Sequence, residues 1–468
     1  MRLESHPYED QKKLPFRIKF AYAAPAFSLA VIGIPIYVYI PKFYTDVVGV
    51  NIGILGTLIL LVRVFDAVTD PVIGFISDRT RTIFGRRRPY IASFSVLLAF
   101  SVYLLFNPPD GSRFFETAWF GIWFFLIFLF WTLVTVPYES LGPELTFDYN
   151  ERTTLFGLRD GALIAGTLMA ASSPAIVTLV FDLNADAQGE KDKFFWISVF
   201  YAPLIVLFAW WCVWVVKERI HEQTNQPSGI VKNLKLTVKN KPFLVLLASY
   251  TVAAFGSNLP ATLILYYVEY VLESKLADLF LLLYFVTGIV LLPIWVYLAK
   301  KFGKKNSWIT AMIINTGAFI GVFFLGPGDE MLYGILVVLS GLGFGATIAI
   351  PSSMQADVID YDELLSGERH EGQYVGIWSI SKKLAAALGV GIALSFLSFS
   401  GYEPNVEQSE EVKLVLRTLY ALVPSICNLA AMAIAFRYPI DGSGHKAILK
   451  AINDHKSGRS VIDPFKLK

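Results

Sequence analysis

Apolar stretches long enough to cross a bilayer follow one another along almost the whole chain, separated by short polar turns. A helix needs about 20 mainly apolar residues to cover roughly 30 Å of hydrocarbon. The pattern predicts twelve such spans, at 21–41, 53–76, 90–107, 117–141, 157–181, 194–216, 243–268, 279–300, 307–325, 331–355, 373–399 and 413–437. One long polar interruption, 217–242, divides them six and six. The expected organisation is an N-terminal segment 1–20, a six-helix bundle 21–216, a linker 217–242, a second six-helix bundle 243–437 and a tail 438–468. Two internal echoes support related halves. The turn Gly85-Arg86-Arg87-Arg88 after span 2 is answered after span 8 by Gly303-Lys304-Lys305, and Pro137 to Arg152 is answered by Pro351 to Arg369. The predicted fold class is an all-α membrane protein, with twelve transmembrane helices in two pseudo-symmetric six-helix bundles, a plan common among secondary transporters.

Composition agrees with this pattern. Of 468 residues 55% are apolar and only 17% charged, with a mean hydropathy of +0.54, whereas about a quarter charged is usual for soluble domains. An ordinary soluble enzyme is excluded. Two cysteines, Cys212 and Cys427, both in apolar runs, exclude a disulfide scaffold. A net charge of +2 argues against nucleic-acid binding. The basic residues are unevenly placed, and that is more informative. Lys12, Lys13, Arg17 and Lys19, then Arg79 to Arg88, Lys217 to Lys241 and Lys300 to Lys305 fall on alternate sides that would all face inward, whereas the opposite loops hold few. By the positive-inside rule both termini are expected in the cytoplasm and the chain in the inner cell membrane. The first twenty residues are polar and basic, so no cleavable signal is expected.

Ionisable groups at membrane depth cost at least a few kcal/mol and are functional candidates. Span 2 carries Arg63, Asp66, Thr69 and Asp70, with the three charged groups on one helical stripe. Two carboxylates one turn apart, with Thr69 beside them, suit Na⁺ or a proton. The alternative is that Arg63 neutralises Asp66 while Asp70 hydrogen-bonds a neighbouring helix. Span 4 offers Trp131, Thr132, Thr135, Tyr138 and Glu139. Either threonine can add a hydroxyl to the span 2 site or bond its own backbone. Arg159 suits a substrate hydroxyl, carboxylate or phosphate, or an inner gate paired with Glu144 or Asp148. Of Lys382 and Lys383 one is expected to face a cavity and counter the span 2 carboxylates. Trp131, Tyr138 and Trp378 are candidates for stacking on a sugar ring, with packing as the alternative for each. The five histidines all fall outside the spans, and no nucleophile–base pair, metal-ligand spacing or phosphate-binding loop is visible. No enzyme activity and no cofactor are expected.

The pattern Gly74-x-x-x-Asp78-Arg79 followed by Gly85-Arg86-Arg87 resembles the loop signature of the major facilitator superfamily. Tyr44-Thr-Asp-Val-Val-Gly49, Asp66-Ala-Val-Thr-Asp-Pro71, Gly85-Arg-Arg-Arg-Pro-Tyr90 and Asp357-Val-Ile-Asp-Tyr-Asp362 are similar to motifs of the glycoside-pentoside-hexuronide:cation symporters, in order along the chain. The resemblance implies the major facilitator fold. It also implies a cation site at Asp66, Asp70 and Thr132, Arg63 as the span 2 arginine, Arg159 near the sugar and Lys383 near the cation. The melibiose-transporting member of that family has a sugar-binding aspartate where this chain has Thr135, a stacking tryptophan where it has Glu139, and an acidic residue near the position of Ala30. These departures imply the cation site without the galactoside pocket.

The expectation is a monomeric symporter coupling Na⁺ or H⁺ to a small-molecule substrate, a sugar, glycoside or uronate, by alternating access, with no other metal. Asp66, Asp70, Thr69 and Thr132 would bind the cation. Arg159, Thr135, Glu139, Trp131, Tyr138, Lys383 and Trp378 would bind substrate. Asp78, Arg79, Arg86, Glu144, Asp148 and Arg152 would form an inner gate. The rival readings are a carrier of lysolipids or other amphipathic solutes with the same fold, and a non-transporting receptor.

Overall fold

The computed structural model describes residues 14–145, 149–184, 186–218, 239–367, 371–456 and 465, except the side chains at 75, 78, 79, 143, 144, 149–154, 348, 349, 371–373, 455 and 456. Among the described residues every regular element is helical. Contacts divide the chain into two units, Met1–Glu222 and Gln223–Lys468.

The first unit holds α1 (Phe16–Val48), α2 (Ile52–Arg79), α3 (Arg88–Phe106), α4 (Arg113–Leu145), α5 (Tyr149–Phe181) and α6 (Ala187–Val215). α1 is wound as π-helix at Pro35–Tyr39 and Phe43–Val48, around prolines that lack the amide an α-turn would use. At its end the Tyr44–Gly49 motif builds structure. The Tyr44 hydroxyl donates to the Leu105 carbonyl at 2.7 Å, and the buried Asp46 pairs with Lys42 at 2.7 Å.

The second unit holds α7 (Lys241–Tyr270), α8 (Ala277–Val290 and Leu292–Phe302), α9 (Lys304–Phe323), α10 (Glu330–Ser366), α11 (Glu371–Phe399), α12 (Glu410–Ala435) and α13 (Gly442–Lys456). Among the described residues eleven helices are long and apolar enough to cross a membrane, and the halves of α8, bent by 42°, make a twelfth if they form one span. The bend falls at Leu291, just before Pro293, which sits in the first turn of the second half and has no amide to continue the bonding of the first. The chain beyond 437 was expected as a tail. Within it α13 forms, capped by the Asp441 carboxylate on the Gly444 amide at 2.6 Å, with Ile448 and Ile452 buried on one face. α10 runs past the expected limit of 355, because a helix does not stop where the hydrocarbon does.

In the first unit the closest packing joins α1 with α5 and α6, α2 with α4, and α3 with α4 and α6; in the second it joins α7 with α11 and α12, α8 with α10, and α9 with α10 and α12. Raising each helix number by six converts one pattern into the other. Small residues permit the tightest of these crossings. A methyl group on Gly166 of α5 would lie 2.4 Å from the Phe27 carbonyl of α1, and one on Gly389 of α11 would lie 3.3 Å from the Phe255 carbonyl of α7.

The basic turns that echo each other also have related structures. The Glu218 carboxylate accepts the backbone amides of Arg86, Arg87 and Arg88 at 2.8, 2.8 and 2.7 Å, placing an anion at the positive end of α3. Arg88 donates from Nε and Nη2 to the Val213 carbonyl near the end of α6, at 2.9 and 2.6 Å, and Arg87 donates to the Ser140 carbonyl of α4. In the second unit Lys305 donates to the Phe436 and Tyr438 carbonyls after α12 at 2.6 and 3.0 Å. Lys304 reaches both Asp357 carboxylate oxygens of α10 at 2.7 Å and the Ser353 carbonyl at 3.2 Å. His445 of α13 completes this group, 2.9 Å from Asp360.

Gly85 turns the chain with φ of 107°, and a Cβ there would lie 2.7 Å from the Glu218 carboxylate carbon. Glu218→Ala is expected to lower stability by about 2 kcal/mol, read as an earlier thermal transition of the purified protein in detergent, and Glu218→Gln by less. Gly85→Ala should destabilise comparably by displacing the same carboxylate. Unchanged melting of both Glu218→Ala and Gly85→Ala would show that the clasp contributes nothing.

Candidate functional site

The site forms where α2 meets α4. Asn51 starts α2 by accepting the Gly53 and Ile54 amides at 3.0 and 3.1 Å, and the i, i+4 spacing of Asp66 and Asp70 places them one turn apart, on the side facing α4. The Thr132 hydroxyl of α4 lies 2.8 Å from Asp66 Oδ1 and 3.1 Å from Asp70 Oδ1. Asp66 and Thr132 are buried and Asp70 is half-buried. A hydroxyl has one proton, so it donates to one carboxylate at a time, while its lone pairs remain acceptors. Two carboxylates and a hydroxyl converging in a buried place form a hard-oxygen donor set that suits an alkali cation or a proton. Among the described residues no cluster of three or more His, Cys, Asp or Glu has metal-site geometry.

Thr69 takes the local alternative, donating to its own helix at the Asp66 carbonyl, 3.1 Å away. Thr135 does not join the cluster by a hydrogen bond. Its hydroxyl is buried without a partner, a group that a ligand or water would satisfy.

Arg63 does not pair with Asp66, although the spacing permits it. Its guanidinium sits 3.9 Å from the centre of the Tyr37 ring and 5.0 Å from that of Phe128. The side chain is 93% buried, 7% being exposed, so the contact is desolvated and worth about 2 kcal/mol. Trp131 borders the same group, its ring parallel to Phe128 within 9° and half-buried. Tyr37 and Phe128 were not singled out in the sequence, since ring pairing across helices has no spacing signature.

Of the other sequence candidates, Tyr138, Glu139 and Arg159 gather around Tyr22, close enough to interact electrostatically. Tyr138 is buried, its hydroxyl donating to the Tyr22 carbonyl at 2.7 Å, so its ring packs α4 on α1 and no face is open for stacking. In the second unit Trp378 is likewise buried, stacked on Tyr250 at 4.2 Å. Arg159 pairs with its neighbour Asp160 at 2.7 Å and lies over the Phe156 ring. Asp160 was overlooked although it is adjacent in sequence. Glu139 is exposed, Lys382 exposed and Lys383 half-buried. Of the gate candidates, Asp148 lies outside the described residues, as do the side chains of Asp78, Arg79, Glu144 and Arg152. Arg86 joins the Glu218 clasp through its backbone amide.

The sequence matches the family described as MFS/sugar transport protein over residues 21–442. It is 27% identical to the glucuronide carrier protein homolog of Escherichia coli (strain K12), covering 89% of this chain and 91% of that one. It is 26% identical to the isoprimeverose transporter of Lactiplantibacillus pentosus, covering 97% and 95%. The crystal structure of the nucleoside transporter NupG superposes with a TM-score of 0.65 at 11% identity, over 91% of this chain and all of that one, which shows a shared fold. With its helical architecture and the span 2 motifs, this places the chain in the MFS/sugar transport family, among the glycoside-pentoside-hexuronide:cation symporters, as a multi-pass membrane transport protein and not an enzyme.

Proposed function

We propose that this chain moves a sugar, glycoside or uronate across the membrane in symport with Na⁺ or H⁺, by alternating access. The observation that carries the reading is the convergence of Asp66, Asp70 and the Thr132 hydroxyl. Relatives named as carriers of a glucuronide and of isoprimeverose give the substrate class. A cation among these oxygens offsets the repulsion between two carboxylates. If substrate binds best to the ion-loaded conformation, each ligand raises the affinity for the other by the same factor.

Thr69 is assigned to the ion site through its unused lone pairs, and Arg63 to shaping its charge. Thr135, Trp131, Glu139, Arg159 and Lys383 are assigned to substrate. Tyr138 and Trp378 are assigned to support those groups by packing. Asp78, Arg79, Arg86, Glu144, Asp148 and Arg152 are assigned to the inner gate. The proposed organisation keeps the limits 1–20, 21–216, 217–242, 243–437 and 438–468, with a monomer in the inner cell membrane and both termini in the cytoplasm. A lysolipid cargo is not favoured, as relatives are named for a glucuronide, isoprimeverose and glycosides.

In proteoliposomes, Asp66→Asn or Asp70→Asn is expected to weaken the apparent cation affinity at least about a hundredfold, equivalent to roughly 2.7 kcal/mol. Uptake that keeps its full Na⁺ or acid-pH dependence in both variants would remove the ion from α2. Thr132→Val should weaken the cation affinity by about tenfold while Thr132→Ser restores it. Equal affinities for the Val and Ser variants would make Thr132 a packing residue only. For the cargo, glucuronides and pentosides are expected to compete with uptake and lysophosphatidylcholine to have no effect; the reverse pattern would transfer the protein to the amphipathic-solute reading.

A further inference from the structure

The second unit contains a cavity of about 920 Å³, bounded by the start of α7, the start of α9, the end of α10 and the chain that follows α12. Four cations line it, Lys239, Lys241, Lys305 and Arg437, against two acids, Asp362 and Asp441. Both acids are engaged elsewhere. Asp362 accepts the Tyr374 hydroxyl at 2.8 Å, and Asp441 caps α13 through the Ser443 hydroxyl and the Gly444 amide. The cations are not neutralised in return. Lys305 uses two of its three donors on the Phe436 and Tyr438 carbonyls. Among the described residues the side chains of Lys239, Lys241 and Arg437 make no ion pair or hydrogen bond.

Residues that merely solvate an inner surface would project singly into water, whereas these four surround one concave space. Its rim is apolar as well as basic, with Phe436 62% exposed and Leu365 42% exposed. The chain turns from hydrocarbon-spanning to polar at this level, where a lipid headgroup sits. Basic pockets between helices at the inner interface suit anionic headgroups, and each juxtamembrane cation strengthens the attraction. The positive end of α7 opens at Lys241 and adds to the same field.

From this we infer that the cavity is a binding site for a phosphate-bearing anion, held by Lys239, Lys241 and Arg437 with the remaining donor of Lys305. Its chemistry fits the headgroup of an anionic phospholipid of the inner leaflet and also a free phosphate. Only the side of the membrane rests on the topology proposed above; the binding itself does not depend on the symport reading.

The test uses the full-length protein, delipidated in a neutral detergent without sugar or Na⁺, and titrated with dioctanoyl phosphatidylglycerol, dioctanoyl phosphatidylcholine and inorganic phosphate. Thermal shift reports binding, and native mass spectrometry counts bound lipid. Phosphatidylglycerol is expected to bind at least tenfold more tightly than phosphatidylcholine, with that preference lost in Lys241→Gln/Arg437→Gln and kept in Lys241→Arg/Arg437→Lys. Inorganic phosphate that fails to compete identifies the lipid headgroup as the ligand, and phosphate that competes at similar concentration identifies the soluble anion. Binding with no preference for either anion over phosphatidylcholine, or a preference unchanged in the Gln variant, overturns the site. The ligand-free melting temperatures of both variants show whether lost binding reflects lost folding; if the double Gln variant unfolds, the single variants Lys241→Gln and Arg437→Gln decide the question, each expected to weaken the preference, and an unchanged preference in both overturns the site. None of these readouts measures transport, so a failure here leaves the ion site on α2 untouched.

Discussion

A charge within hydrocarbon must find its partner inside the protein, because water is not there to solvate it. In the first unit Arg63, Asp66 and Asp70 lie on one stripe of α2, and the simplest arrangement would join Arg63 to Asp66. The structure does something else. The Tyr37 ring of α1 and the Phe128 ring of α4 take the guanidinium, while Thr132 takes the carboxylates. The consequence is electrostatic. An arginine bonded to Asp66 would occupy lone pairs that the proposed coupling ion would use. Holding Arg63 by its face on aromatic rings offsets part of the cost of burying its charge without using a carboxylate oxygen, although its buried Nε has no hydrogen-bond partner among the described residues.

The same economy of partners shapes the polar ends of the helices. A helix leaves its last carbonyls unbonded, and here long basic side chains meet them. Arg88 bonds the Val213 carbonyl of α6, and Lys305 bonds the carbonyls that follow α12. Two halves that pack their helices in the same order thus close one corner with the same chemistry. They differ in the anion. Glu218 serves the first turn through backbone amides, whereas Asp357 serves the second through the Lys304 ammonium. The repeated part is the contact between a cation and a helix end, and the acid has diverged.

The spans were legible because about 20 apolar residues leave few alternatives to a membrane helix. The bend in α8, the extension of α10 to Ser366 and the whole of α13 were not, since hydropathy marks where hydrocarbon ends and not where hydrogen bonding ends. At the site the stripe of Asp66 and Asp70 follows from helical periodicity alone. That Thr132 rather than Thr135 meets it depends on how α4 is rotated against α2, which a single sequence does not encode in any local spacing. Arg63 on Tyr37 is of the same kind. Arg159 is different, as its partner Asp160 was the next residue, and the search for a distant partner passed over it.

The participation of a second helix matters for coupling. Ligands drawn from α2 alone would keep their mutual distances through any movement of whole helices, so an ion bound to them would favour no conformation over another. A ligand that binds two states equally shifts nothing, however tightly it binds. Thr132 removes that symmetry. With its hydroxyl 2.8 Å from Asp66 and 3.1 Å from Asp70, the donor set is complete only when α4 stands in this relation to α2, and a displacement of the order of 1 Å breaks the second contact first. An ion bound among these oxygens, as proposed, would therefore favour one packing of α4 on α2 within the first unit, and any substrate group carried by α4, such as Thr135, would feel it.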